Sequence, residues 1–476
     1  MSDNYVLLII HLIGGLCVYF DCVRISRNCE PDDRIKHFLS PVLFFSILAY
    51  YPIYMILSRE QNIIMKLLGF LMNITIISML TYSLLLLFLP KLRKAISSQT
   101  VASFWLIPSC MYYVYRISGG SSVFKPRIVL YTDNRPACLI VALIWLSGAA
   151  FVLTRSIVLH KRFRSEVEAH SYAIRDESVL ELWKSKQEKY KIRKNKQAEL
   201  YESDIISSPI TIGLKHPFLV LPVRPYSMED YDQIYEHEAI HIGRSDIETK
   251  LVVIICKALN WFNPLIYKAL KKCCEDLEFS CDELTLIDSD AADRKHYAQL
   301  LLSSAGEDRG FSSSLAADAA TMKYRLENIL HPKTKKNGAL LLAACTVLTL
   351  SLSGLFAIGY DRQSAEEVFF KGEINDAELI THENDYLSVM PDSNQESFRI
   401  SDIDRLKEIF SEIEVYELDV RLIESGDYST LFYMQNGQMV SLIFDDRYLV
   451  FVRNNHRTAY IAKTGIRIDL LERLSD

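Results

Sequence analysis

The chain has 476 residues, half of them hydrophobic, with a positive mean hydropathy and a formal net charge of −6. That composition is too apolar for an ordinary soluble enzyme, and the length accommodates several domains. The charge is uneven: residues 361–476 carry 24 acids and 12 bases, a net of −12, while the remainder is net +6, so the C-terminal part is a separate acidic unit unsuited to nucleic acid or anionic surfaces.

Six apolar runs stand out, at residues 5–20, 38–57, 69–89, 101–115, 137–154 and 338–359. A membrane span takes about 20 apolar residues, roughly 17 at the least, so the first and fourth runs are marginal alone. Basic residues set the orientation. Arg24, Arg27, Arg34 and Lys36 follow the first run; Lys91, Arg93 and Lys94 follow the third; His160, Lys161, Arg162 and Arg164 follow the fifth; Lys333, Lys335 and Lys336 precede the sixth. Six spans put all four clusters on the cytoplasmic side, with residues 160–337 inside and both termini outside. The first run lacks a basic leader and a clean small-x-small cleavage site, which disfavours a signal peptide. All ten cysteines precede residue 360, and reduced cytoplasmic thiols imply no disulfide framework.

Residues 165–203 are densely charged, with Lys184, Lys186, Lys189, Lys191, Arg193, Lys194 and Lys196 close together; a solvated helix or loop near anionic headgroups is the default reading. Residues 207–222 read as a short hairpin turning through Gly213-Leu214-Lys215-His216-Pro217. A strand edge there can pair with an extended peptide. Ser227 with Glu229 and Asp230 reads as a helix start.

That helix carries His237-Glu238-Ala239-Ile240-His241. Histidines four apart share one helix face and can grip one zinc ion, and Glu238 beside them can take the proton of an attacking water. The bare pattern arises by chance, so a third ligand is required. Glu278 is the candidate, on a second helix reaching about residue 286, with Asp282 one turn further to orient a ligand histidine. Two histidines and a glutamate leave one zinc position open, the catalytic arrangement. Cys273, Cys274 and Cys281 are possible soft ligands, though buried packing is the commoner role of free cysteine. Arg244, His216 and His296 are guesses for a second donor to the developing oxyanion, each more commonly a surface or satisfied residue.

The order His237-Glu238-x-x-His241-x-x-Arg244-x-Asp246, Trp261-Phe262-Asn263-Pro264, then Glu278-x-x-Cys281-Asp282-Glu283 resembles the BlaR/MecR antirepressor family of membrane zinc metallopeptidases. The hairpin ending Val220-Leu221-Pro222 and the stretch Met322-Lys323-Tyr324-Arg325-Leu326-Glu327-Asn328-Ile329-Leu330 look like that family too, and the likeness covers roughly residues 64–360. It implies zinc on His237, His241 and Glu278, Glu238 as general base, and a cytoplasmic gluzincin-like domain between two spans under an outer sensor. Its protein substrate would be cytoplasmic, such as a winged-helix repressor. It also implies self-cleavage near residues 304–320, a small-residue loop of the kind proteases reach, for which a plain linker is the equal alternative. Two features depart from the family pattern. Runs 5–20 and 38–57 look like an added pair of spans. The tail is too short for a penicillin-binding sensor, and although Lys463-Thr464-Gly465 is present, no Ser-x-x-Lys follows residue 360.

The tail itself reads as α+β. Ser401 is placed as the cap of a helix with an apolar stripe at Ile403, Leu406, Phe410 and Ile413. Strands follow at residues 415–420, 430–434, 439–444, 448–452 and 458–462, and Asn436-Gly437 marks a hairpin.

The expected fold is thus mainly α: a polytopic helical membrane protein with an N-terminal membrane domain (1–160), a cytoplasmic gluzincin-like zinc metallopeptidase domain (161–337), a last span (338–360) and a small α+β extracytoplasmic domain (361–476). The expected function is a bacterial plasma-membrane zinc endopeptidase that transduces an outside signal, with the lipid bilayer, a cytoplasmic protein and an unknown outer ligand as partners and no direct nucleic-acid contact. The competing readings are a non-catalytic receptor with a structural or vestigial zinc site, and a housekeeping membrane protease.

Overall fold

The computed structural model describes residues 62–109, 126–214, 216–305, 319–352, 355–382, 397–418, 428–453, 456–466, 471 and 474. The runs at 5–20 and 38–57, and the loop 306–318, lie outside them.

Two described helices are long and apolar enough to cross a membrane: α1 (Ile63–Leu92) and α3 (Arg135–Ala169). At 35 residues, α3 extends about 52 Å and presents Leu139, Ile140, Leu143, Ile144 and Phe151 outward. The described part of the fourth run is no span. Ser97 caps the seven-residue helix α2 (Ser98–Phe104), and Trp105–Ile107 are buried with it. The sixth run also divides. Its helix α10 (Ala339–Ser351) has 13 residues, about 20 Å, and the chain then becomes strand β6 (Phe356–Ser364).

Between α3 and α10 lies a helical unit with one small sheet. Strands β2 (Ser171–Ala173), β3 (Glu199–Ser203), β4 (Ile210–Ile212) and β5 (Phe218–Pro222) run in the order β2-β3-β5-β4, which leaves β4 at the edge. The predicted hairpin is β4–β5, antiparallel, turning at Gly213 with φ 110°. Every residue of β5 is buried, because the sheet is covered on both faces. One face meets α4 (Glu177–Lys189) and α5 (Met228–Arg244) through Trp183, Leu219, Leu221 and Tyr235; the other meets the end of α3 through Val167, Phe218 and Val220. The charged 165–203 stretch is therefore less solvated than its composition suggests. Lys186 pairs with Asp232 and Glu236 of α5 at 2.7 and 2.9 Å.

Helices α6 (Asp246–Leu259) and α7 (Pro264–Thr285) connect this unit to the apolar helices. Val252, Val253, Ile266, Ala269 and Leu277 share one core with Ile74, Leu85 and Leu89 of α1, Val101 of α2 and Leu342 of α10. The break at 261–264 fastens α6 to α3: the indole of Trp145 donates to the Leu259 carbonyl (2.6 Å), and that of Trp261 donates to the Trp145 carbonyl (3.1 Å). A side chain at Gly148 would collide with the Trp261 ring, 2.2 Å from an added Cβ. Helices α8 (Ala291–Ala305) and α9 (Ala319–Leu330) complete the unit.

The C-terminal part is a nine-stranded sheet, ordered β1-β6-β9-β13-β12-β11-β10-β7-β8. Its elements are β1 (Ile128–Thr132), β6, α11 (Ala365–Phe369), β7 (Ile374–His382), β8 (Ser397–Ile400), α12 (Ile403–Ser411), β9 (Glu414–Leu418), β10 (Tyr428–Gln435), β11 (Gln438–Phe444), β12 (Tyr448–Arg453) and β13 (His456–Ala462). Asn436 and Gly437, both with positive φ, make the β10–β11 turn. Asp402, one residue beyond the predicted Ser401, caps α12 by accepting from the Arg405 amide. Strand β1 comes from the stretch before α3 and pairs parallel with β6, so the sheet is larger than the tail alone. Each described apolar helix has this sheet at one end and the His237 unit at the other. Asn62 and Asn73 of the α1 end bond Glu417 and Phe356, while Arg93 at its other end bonds Asp276 of α7.

Candidate metal centre

Helix α5 starts where its sequence says it should. The Ser227 hydroxyl accepts from the Asp230 amide, and the Asp230 carboxylate accepts from the Ser227 amide, a reciprocal capping box. From there His237 and His241 project from one face, and their Nε2 atoms lie 3.1 Å apart. Helix α7 passes opposite. Glu278 Oε2 is 3.6 Å from His237 Nε2, and Oε1 is 3.7 Å from His241 Nε2. The three residues picked from spacing therefore converge. Glu278 is also the partly open member, its side chain 31% exposed.

Each imidazole is held from behind by a carboxylate that is itself bound to an arginine. Behind His241 the arrangement is local: Nδ1 bonds Asp246 Oδ2 at 2.6 Å, and Arg244 grips the same carboxylate at 2.8 and 2.5 Å. Behind His237 it is assembled from afar. Nδ1 meets the Tyr297 hydroxyl of α8 at 2.9 Å, that hydroxyl donates to Asp282 Oδ1 at 2.8 Å, and Arg325 of α9 donates to both Asp282 oxygens at 2.7 Å. With both Nδ1 atoms engaged, the two Nε2 lone pairs are what the site offers, which is the pattern metal-binding histidines show. These donors fit a zinc ion. Asp282 thus orients His237 through a tyrosine and not directly, their nearest atoms being 3.7 Å apart.

The electrostatics fit a cation as well. Burial opposes protonation of His237, but Cys281 and Glu278 outweigh it and push this imidazole up to about 10. Burial likewise raises the Glu278 carboxyl, yet His241 and His237 hold it well below the usual range. Cys281 is fully buried on α7, its sulfur within 4.8 Å of the nearest imidazole nitrogens. Its thiol donates to the His237 carbonyl at 3.2 Å. It is a second candidate third ligand. Cys273 and Cys274 lie outside this cluster, and Cys273 is core.

The Glu238 carboxylate accepts from the Thr211 hydroxyl of edge strand β4 at 2.7 Å. None of the three guessed oxyanion donors is positioned for that role. Arg244 is committed to Asp246, Ser280 and the Leu277 carbonyl. His296 pairs with Asp230 at 3.0 Å. His216 is exposed in the β4–β5 turn. Lys250 of α6 lies 3.9 Å from Glu278 Oε1. Sequence reasoning gave no role to Asp246, Arg325, Tyr297 or Thr211. The first two stood inside quoted motifs, whereas Tyr297, one of 26 tyrosines, carried no signal.

Residues 125–329, which contain all of these groups, match the family model of the BlaR1 peptidase M56. Over that segment the chain is similar to the BlaR/MecR family. It is 26% identical over 184 residues to the regulatory protein BlaR1 of Bacillus licheniformis, and 28% identical over 149 residues to the methicillin resistance mecR1 protein of Staphylococcus aureus and to that of Staphylococcus epidermidis. These alignments cover 38% and 31% of this chain, but only 30% and 25% of the relatives' own length. The likeness is thus one of the metallopeptidase-type segment.

Proposed function

We propose that this chain is a membrane-embedded zinc endopeptidase that transduces a signal, cleaving a cytoplasmic protein such as a repressor when its outer sheet domain senses a ligand. The observation that carries the reading is the convergence of His237 and His241 Nε2 opposite Glu278, with both Nδ1 atoms occupied and Glu238 beside them. His237, His241 and Glu278 would hold the ion. Bound zinc supplies a Lewis acid that acidifies water and polarises a carbonyl. Glu238 then takes the proton of the attacking water and delivers it to the leaving amine, and Thr211 fixes the carboxylate from the strand side. Edge strand β4 gives an extended peptide a place to pair beside that glutamate. Two long apolar helices, with the sheet at one end and the metal unit at the other, support a sensor and a protease on opposite faces of a membrane.

The test is metal analysis and proteolysis with the purified full chain. About one zinc per chain is expected, lost in His241→Ala, and Glu238→Gln should keep the ion and stop cleavage. Proteolysis undiminished in Glu238→Gln would sink the assignment. The alternative of a structural site rests on Cys281. It requires zinc to survive Glu278→Gln and to be lost in Cys281→Ser; the peptidase reading expects the reverse.

A further inference from the structure

We infer that Tyr297 and Arg325 are positioning residues for the ion at His237, and that the metal site is complete only while α9 is docked on α7. This rests on the metal reading above. The two ligand histidines are supported in unlike ways. His241 is held by Asp246 and Arg244, five and three residues away in the same helix turn and its successor, so its orientation is fixed wherever α5 and α6 form. His237 depends on a hydroxyl 60 residues away and on a carboxylate whose counter-ion is 43 residues further along from it.

For Nε2 to face an ion, the His237 Nδ1–H must donate to the Tyr297 oxygen, and the Tyr297 proton must go to Asp282. Arg325 then neutralises a carboxylate that is only 5% exposed. A buried carboxylate stripped of its partner is costly, and it would draw Tyr297 or another donor toward itself. The guanidinium also lies 4.0 Å from Glu278 Oε2, so one side chain bears on both the third ligand and the support of the first.

Arg325 belongs to a short helix whose hold on the unit is specific and limited. Tyr324 packs at a tilt against Phe279 with ring centroids 4.8 Å apart, Ile329 sits in a small cluster with Leu286 and Tyr297, and the following residues run through Lys335, bonded to Glu283 at 2.9 Å, into α10. The element that completes the site is therefore the one joined directly to the helix leading to the outer sheet. Anything that shifts α9 relative to α7 withdraws the counter-ion of the His237 support while leaving the support of His241 in place.

The test measures zinc affinity of the full-length chain in detergent by competition with a chromophoric chelator, together with the visible spectrum of the cobalt-substituted protein. Tyr297→Phe and Arg325→Met should each weaken zinc by roughly 10- to 100-fold. Because they interrupt one chain, the double variant should lose little more than the worse single, a non-additive result. Arg325→Lys should recover part of the loss, and Tyr297→Phe should shift the cobalt bands. Wild-type affinity in both single variants, or additive losses, would overturn the inference. Should Arg325→Met fail to fold, Tyr297→Phe still decides, since it keeps the Asp282–Arg325 pair: unchanged affinity and spectrum refute the chain. Failure of the wild-type chain to bind zinc would instead refute the metal reading beneath it.

Discussion

Asp246 ties the stability of the unit to metal binding, and a double replacement with Arg244 separates the two. Its side chain is 2% exposed and bonds a guanidinium that is fully buried. In Asp246→Ala the Arg244 charge keeps only neutral acceptors, the Ser280 hydroxyl and the Leu277 carbonyl. Stranding one member of a buried pair costs about 3–5 kcal/mol. In a unit of 150–250 residues each kcal/mol moves the melting point by about 2–4 °C, so the drop should be roughly 6–20 °C. The same change removes the acceptor from His241 Nδ1, which should weaken zinc by roughly 10- to 100-fold. The double replacement Arg244→Met with Asp246→Leu divides the two effects. A buried pair exchanged for apolar groups is often neutral or stabilising, so the melting point should return toward wild type while the zinc affinity stays low. Thermal unfolding of the full chain with and without zinc, alongside chelator competition, reads both. Wild-type stability and affinity in Asp246→Ala would refute the reasoning, and so would zinc binding restored by the double replacement.

The sidedness is checked by reporters: one fused after Asp476 should be active outside and one inserted near Lys186 inside, and the reverse pattern would move the metal site across the membrane. Burial raises the Asp230 carboxyl, but the Ser227 amide and hydroxyl and His296 lower it more, leaving it below its usual 3.8. Such a group stabilises the fold above the unfolded value and loses its contribution as pH falls through the folded one. Asp230→Asn should therefore melt below wild type at neutral pH, with the gap closing below about pH 3.8; a gap constant with pH would exclude the capping carboxylate as its source. Residues 361–476 hold no Ser-x-x-Lys, and Lys463-Thr464-Gly465 only follows the end of β13. A fluorescent penicillin should give no covalent band on denaturing electrophoresis, and a band that vanishes on deleting 362–476 would prove that wrong.

What could be read from the sequence was local. The helix start at Ser227, the four-residue histidine spacing, the Asn436-Gly437 turn and the break at 261–264 each act within a few residues, and the structure has them where the pattern puts them. The hidden parts are matters of pairing at a distance. Strand β1 joins β6 across more than 200 residues, a partnership with no signature in either segment. The run 338–359 carries no charge and little periodicity, and short stretches of such a run fit a buried strand as well as a helix. Only tertiary context, with Asn73 bonding both backbone groups of Phe356 at 2.6 and 3.3 Å, turns its last part into β6. Tyr297 and Thr211 escaped notice for the same reason: neither residue type is among the usual zinc ligands, and their roles exist only because α8 and β4 fold back onto α5.

These long-range contacts concentrate on one element. Along α7, Asp276 takes Arg93 and the Trp105 indole, Leu277 and Ser280 take Arg244, Asp282 takes Arg325 and Tyr297, and Glu283 takes Lys335 and the Ser98 amide. Glu278 lies in the middle of that stretch. Arg93, Trp105 and Ser98 come from the end of α1 and from the region of α2, and Lys335 from the approach to α10, so the helix that carries Glu278 is fastened to the apolar helices on both sides of that residue. A packed helix moves as a body and not residue by residue. Arg244 and the Cys281 thiol tie the same helix to α5, so a displacement of α1 or α10 bears on Glu278 and on the Asp282–Tyr297 support together.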